Sequence, residues 1–209
     1  LPAGGADPVV VDAAGLTARI AALPGRAFVA IAGAPGSGKS TLVETLAQDL
    51  PGAMILPMDG FHYDDAVLRA RDRLPFKGAP DSFDVGGLRS VLERLRGGEA
   101  KVAVPVFDRD LEISRGSARI IPAGDGPILV EGNYLLLDEA PWSALDPFFD
   151  LTVMIDVPEA ELRRRLTARW EHYQLIPDQI ARKLDVVDLP NGRRIREGSR
   201  APDLVLRQG

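Results

Sequence analysis

The residues with the clearest chemistry are Gly33-Ala34-Pro35-Gly36-Ser37-Gly38-Lys39-Ser40, followed by Thr41. The spacing, Gly, four residues, then Gly-Lys-Ser, is that of a phosphate-binding loop. Its glycines let successive backbone N–H groups turn toward one anion with no side chain intervening. In this pattern Lys39 reaches the β- and γ-phosphates, Ser40 offers a hydroxyl to Mg²⁺, and the helix that follows adds the positive end of its dipole. A second candidate is Asp59, at the end of an apolar run and just before Gly60. A carboxylate there could take the proton of an attacking hydroxyl, or simply cap a turn.

The elements that position these groups follow from apolar periodicity. Buried strands are expected at Phe28–Ala32, Ala53–Met58, Ile128–Val130, Leu151–Val157 and Leu204–Leu206,. Leu42, Leu46 and Leu50 mark a helix after the glycine loop that stops at Pro51-Gly52. Leu88, Val91, Leu92 and Leu95 mark another, with Asp84 as its N-cap and Gly97-Gly98 as its end. A third runs from about Pro158 to Trp170, and a fourth covers Ile180, Leu184 and Val187. Strands alternating with helices predict an α/β three-layer fold of the P-loop NTPase kind, with a five-stranded parallel sheet, as one domain over 1–209. Residues 101–121 alternate like an inserted β-hairpin, 73–87 form a long functional loop, and 158–185 are helical and rich in Arg, a charge run that usually faces solvent.

Composition narrows the classes. Of 209 residues, 45% are hydrophobic and 26% charged, the balance of a globular protein,. The net charge of −5 speaks against a nucleic-acid surface, and with no Cys there is no thiolate chemistry and no disulfide,. No apolar run approaches a membrane span, and the first residues lack the regions of a signal peptide, which sets a cytoplasmic expectation without membrane insertion. Asp84-Val85-Gly86-Gly87 matches a GTPase switch pattern in letters, but it follows a polar loop and no guanine-reading Asn-Lys-x-Asp accompanies it.

Met58-Asp-Gly-Phe-His62, Gly78-Ala-Pro-Asp-Ser-Phe-Asp84, Val104-Pro-Val-Phe-Asp-Arg109 and Glu131-Gly-Asn-Tyr134 occur in that order after the P-loop. Together they resemble the phosphoribulokinase, uridine kinase and pantothenate kinase family. The likeness is nearest to its short bacterial members, described as nucleoside or pantothenate kinase-like proteins or as fructose transport-system kinases. The resemblance implies an ATP- and Mg²⁺-dependent kinase acting on a hydroxyl of a small metabolite, such as a sugar like fructose, pantothenate or a nucleoside. A nucleotide-dependent regulatory or assembly protein is the alternative from another class.

The same resemblance makes Asp59 the catalytic base, lets Glu131 organise Mg²⁺ or serve as a structural acceptor, and makes 158–185 an Arg-rich helical lid with Arg165 and Arg169 as phosphate clamps. Asp81 matches a residue that holds acceptor hydroxyls. Phe107 stands where uridine kinases tend to have Tyr, which speaks against uridine. His62, Tyr63, Arg109, Asn133 and Tyr134 flank the expected acceptor site, and His172 reads as a surface residue. Asn191 falls in a Pro-Asn segment expected beside the nucleotide base, with a turn at Pro190-Asn191-Gly192 as the plain alternative.

Overall fold

The computed structural model describes residues 8–208. Among these described residues there are eight strands: β1 Val9–Val11, β2 Phe28–Gly33, β3 Met54–Pro57, β4 Lys101–Asp108, β5 Ile113–Pro122, β6 Ile128–Gly132, β7 Leu151–Asp156 and β8 Leu204–Arg207. Six make one sheet in the order β1-β8-β7-β2-β6-β3, parallel throughout. The expected five strands are therefore joined by β1, a sixth at the edge. Its three residues are too short for a periodicity to register.

The central strand shows why the sheet needs cover on both faces. Along β2, Phe28, Ala30 and Ala32 enter one apolar cluster with Leu56, Leu88, Leu92 and Trp142, while Val29 and Ile31 enter the other with Leu42, Leu46, Leu162 and Leu204. Side chains of a strand alternate between faces, so a run with no polar member has to be buried twice. The covering helices are α1 Ala13–Ala21, α2 Lys39–Asp49, α3 Asp65–Ala70, α4 Val85–Arg96, α5 Glu159–His172, α6 Pro177–Lys183 and α7 Leu189–Gly198. Asp84 caps α4 as expected, its Oδ1 accepting from the Gly87 N–H at 2.9 Å.

Among the described residues strands β4 and β5 pair only with each other, antiparallel, from Lys101↔Pro122 to Asp108↔Ile113. The hairpin lies against the turn after β3 (Met58–Phe61), where the Ser114 hydroxyl donates to the Gly60 carbonyl. Gly60 permits this approach, because a Cβ there would fall 2.4 Å from the Pro105 carbonyl oxygen. The end of the chain departs from expectation. Leu184–Asp188 forms a wide π turn joining α6 to α7, and Pro190-Asn191-Gly192 sits inside the first turns of α7 instead of in a turn.

Candidate active site

The phosphate loop runs from the end of β2 into α2. Gly36 and Gly38 take φ of 79° and 87°, a left-handed backbone that glycine adopts without strain,. No side chain caps the N-terminus of α2, whose first N–H groups are thereby left for an anion,. Lys39 Nζ donates to the carbonyls of Gly33 (2.9 Å) and Ala34 (3.0 Å) and to Ser37 Oγ (3.4 Å). Burial pushes the Lys39 ammonium down to about 8, against the pull of the Glu131 and Asp59 carboxylates.

Opposite the loop stand two carboxylates carried by the C-terminal ends of neighbouring strands, where parallel sheets expose functional groups. Asp59 follows β3 and accepts from Arg109 Nη2 at 2.6 Å. Burial works to raise its pKa, but His62, Arg109 and Lys39 outweigh that and hold it below the usual range. Glu131, in β6, lies 3.5 Å from Ser40 Oγ, and burial together with the Asp59 charge pushes it up to about 7. His62 Nδ1 lies 2.8 Å from the Asp59 carbonyl, which can only accept, so Nδ1 carries the proton,. The imidazole packs between Phe83 and Phe107, and burial lowers its pKa.

Between these groups lies a crevice of about 530 Å³. Of the residues expected from the sequence, Pro35, Gly36, Gly38, Lys39, Ser40, Thr41, Asp59, His62, Phe107, Arg109, Glu131, Asn133, Arg169 and Asn191 line it. Gly33, Ala34 and Ser37 frame the loop from inside. Four residues fall elsewhere. Tyr134 is fully buried, and its hydroxyl donates to the Gly78 carbonyl at 2.6 Å. Asp81 does not line the crevice: its carboxylate pairs with Arg73 through two contacts of 2.8 Å. Tyr63 also lies outside, with the Arg71 guanidinium 4.4 Å above its ring.

The expected lid pair divides. Arg169 lines the crevice, its pKa lowered by burial and by Arg109. Arg165, one turn earlier, bonds Glu161 at 2.7 Å and lies 3.5 Å from Gln208 Oε1, beside Gly38 but outside the crevice. Asn191 Nδ2 contacts the Gly78 carbonyl at 3.4 Å, which sets it against the loop over 73–87. Sequence reasoning missed Lys77, Glu112, Tyr173, Lys183 and Asp188, which line the crevice; His172 is exposed, as read from the sequence, and lines the crevice too. Lys77 had one signal, its place in the long loop over 73–87. Asp188 opens the Pro-Asn segment but drew no role from it; it accepts from Trp170 Nε1 at 2.8 Å.

A glycine loop between a buried parallel strand and an uncapped helix, facing carboxylates on the neighbouring strand ends, defines a P-loop phosphotransferase. The crystal structure of a protein from Silicibacter sp. TM1040, named provisionally as a fructose transport system kinase, superposes with a TM-score of 0.86 at 37% identity, covering 93% of this chain and 98% of that one. The uncharacterized protein YggC of Escherichia coli is 36% identical over 187 residues, 87% of this chain and 77% of its own length. A pantothenate kinase of Myxococcus xanthus is 32% identical over 155 residues, 68% of this chain, and the chain spans about half (49%) of that enzyme's length. No protein-family model matches the chain. The chain belongs to the phosphoribulokinase/uridine kinase family of P-loop kinases, enzymes that phosphorylate an alcohol group of a small molecule. Membership settles the choice against the regulatory alternative. Among the described residues no helix is long and apolar enough to cross a membrane.

Proposed function

We propose that this kinase transfers the γ-phosphate of ATP to a hydroxyl of a small polar metabolite, with Asp59 as the base. The observation that carries the proposal is Asp59 itself: a carboxylate held ionised by its cationic neighbours, across the crevice from the Lys39 loop. The acceptor oxygen bonds to the γ-phosphorus, the bond to the β–γ bridging oxygen breaks, and the hydroxyl proton passes to Asp59. Lys39 and Arg169 offset charge on the transferred group, with Arg165 beside the loop.

Mg²⁺ fits the residues present. It takes oxygen ligands, keeps several waters and needs one or two protein oxygens, which the Ser40 hydroxyl and the Glu131 carboxylate would supply from 3.5 Å apart,. When bound, the ion neutralises phosphate charge. Among the described residues no three His, Asp or Glu side chains converge into a cage for a metal, and a Mg²⁺ shared with a nucleotide requires none.

A sugar such as fructose, pantothenate and a nucleoside are the acceptor types suggested by relatives, and a cytoplasmic setting suits an ATP consumer. Phe107 in place of a phenol weighs against a nucleobase. An ADP-release screen across these three types, with mass spectrometry for a product heavier by one phosphate, tests the proposal. One acceptor type is expected to stand out. Nucleotide binding with no phosphorylated product from any of them would reject it.

A further inference from the structure

Four arginines lie along α5, and three of them are committed to acids. Arg163 pairs with Asp185 at 2.7 Å, and Arg164 and Arg165 each pair with Glu161 at 2.7 Å. Arg169 differs: among the described residues its side chain forms no ion pair, and of the four it alone lines the crevice. Lys183 of α6 is in the same condition, half-buried in the lining with no acid bonded to it among the described residues.

Both cations lie instead beside one aromatic ring. The Lys183 ammonium is 4.1 Å from the centroid of the Trp170 indole, and the Arg169 guanidinium carbon is 5.3 Å from it. The two ways of fixing a long cationic side chain differ in what they leave over. A carboxylate neutralises the charge and occupies N–H donors, whereas a ring attracts the cation and leaves its N–H groups for another acceptor. The acids that share the crevice are engaged elsewhere: Asp59 with Arg109, Glu131 beside Ser40, and Glu112 exposed in the hairpin turn.

The indole is itself fixed. Trp170 Nε1 donates to Asp188 Oδ2 at 2.8 Å, and both residues are buried. A carboxylate is a poor choice for packing alone, because burying it costs solvation. Asp188 closes the π turn Leu184–Asp188 and leads into α7, where a Cβ on Gly192 would fall 3.3 Å from the Ala34 Cβ of the phosphate loop. An unbroken run of contacts therefore leads from that loop through α7 and Asp188 to Trp170 and its two cations.

We infer that Trp170 and Asp188 are positioning residues that present Arg169 and Lys183 together to the γ-phosphate, which makes Lys183 a second phosphate-binding cation of the lid. The inference deepens the kinase reading above and rests on it. Each hydrogen bond these cations make to a phosphate oxygen is charge-assisted, and a cation already held in place loses less freedom on making it.

The test compares two probes by calorimetry, ADP and a non-hydrolysable ATP analogue, each with Mg²⁺. The wild type binds the analogue about tenfold tighter than ADP or better, the strength of one charged hydrogen bond. Lys183→Met removes most of that advantage and leaves ADP affinity unchanged. Asp188→Ala, and Trp170→Phe, which keeps a ring but loses the N–H, each reduce the advantage about threefold. When Arg169 and Lys183 are both replaced by Met, Asp188→Ala has no further effect, since it acts through them. Indole fluorescence changes with the analogue more than with ADP, and the difference is absent from Trp170→Phe, which retains Trp142.

No advantage in the wild type, an advantage that survives Lys183→Met, equal losses for ADP and analogue, or a further loss from Asp188→Ala without the two cations overturns the inference. If Asp188→Ala does not fold, Trp170→Phe decides. A clamp that behaves as expected while the acceptor screen yields no phosphorylated product would refute the kinase reading and leave the clamp standing.

Discussion

The two ends of the crevice are built on different principles. The phosphate end is made by one contiguous stretch, residues 33–41, and mostly by backbone: left-handed glycines, inward N–H groups and the start of α2. The opposite end, where we place the acceptor, is made of side chains from distant segments, with Asp59 and His62 after β3, Lys77 on a loop, and Phe107 and Arg109 on the hairpin. A backbone cradle recognises what every nucleoside triphosphate shares. Side chains on separable segments recognise what differs between acceptors, and each can change without disturbing the cradle.

The sharpest way to break this comparison is to separate chemistry from nucleotide binding. Asp59→Asn is expected to lower kcat by about 10²–10⁴, the usual worth of a general base, while the nucleotide Kd stays near the wild-type value. Steady-state ADP release together with calorimetry checks both halves, and unchanged turnover would remove Asp59 from the base role.

Next in size is the hinge between the ends. Gly60→Ala forces a Cβ to 2.4 Å from the Pro105 carbonyl oxygen, so the hairpin has to shift, at a cost of about 1–3 kcal/mol,. Its acceptor KM rises more than its nucleotide Kd, as initial rates and a thermal melt will reveal. Equal loss at both ends would mean that the two are not separable.

A subtler effect comes from Glu131, whose pKa is raised to about 7 in the folded protein. Between the ordinary carboxylate range and about pH 7 the folded state binds more protons than the unfolded one, so this group's contribution to stability falls as pH rises through that window. Glu131→Gln flattens the slope of unfolding free energy against pH there, measured by urea melts at several pH values, and also weakens Mg²⁺ dependence. An unaltered slope would place the titration elsewhere. The smallest change is expected from Asp81→Ala. Its carboxylate is turned to Arg73, so acceptor KM stays within about twofold and stability changes by less than about 1 kcal/mol, as for an exposed ion pair,. A tenfold rise in KM would return Asp81 to the acceptor site.

How far the sequence could be read follows the same division. The glycine loop was legible because its geometry is local, and the place of Asp59 in the crevice followed from the end of a parallel strand, although the residue by itself read as well as a turn cap. Five strands were legible through unbroken apolar runs, whereas β1 was too short. Lys77 and Asp188 could not be read, since their place in the crevice depends on which helix and hairpin pack beside them. Asp81 drew attention through a motif, and an Arg eight residues earlier had already claimed it. The Pro-Asn-Gly letters carried turn chemistry, but the π turn before them delivers the chain already helical.

The Gly78 carbonyl accepts from both the buried Tyr134 hydroxyl and Asn191. Its φ of 101° reserves the position for glycine, yet the atom that anchors the loop belongs to the main chain. Substitutions on either side leave that tether intact. The loop can therefore exchange its side chains, and with them its substrate, while staying docked, a freedom useful to a lineage or an engineer seeking a new acceptor on an old ATP site.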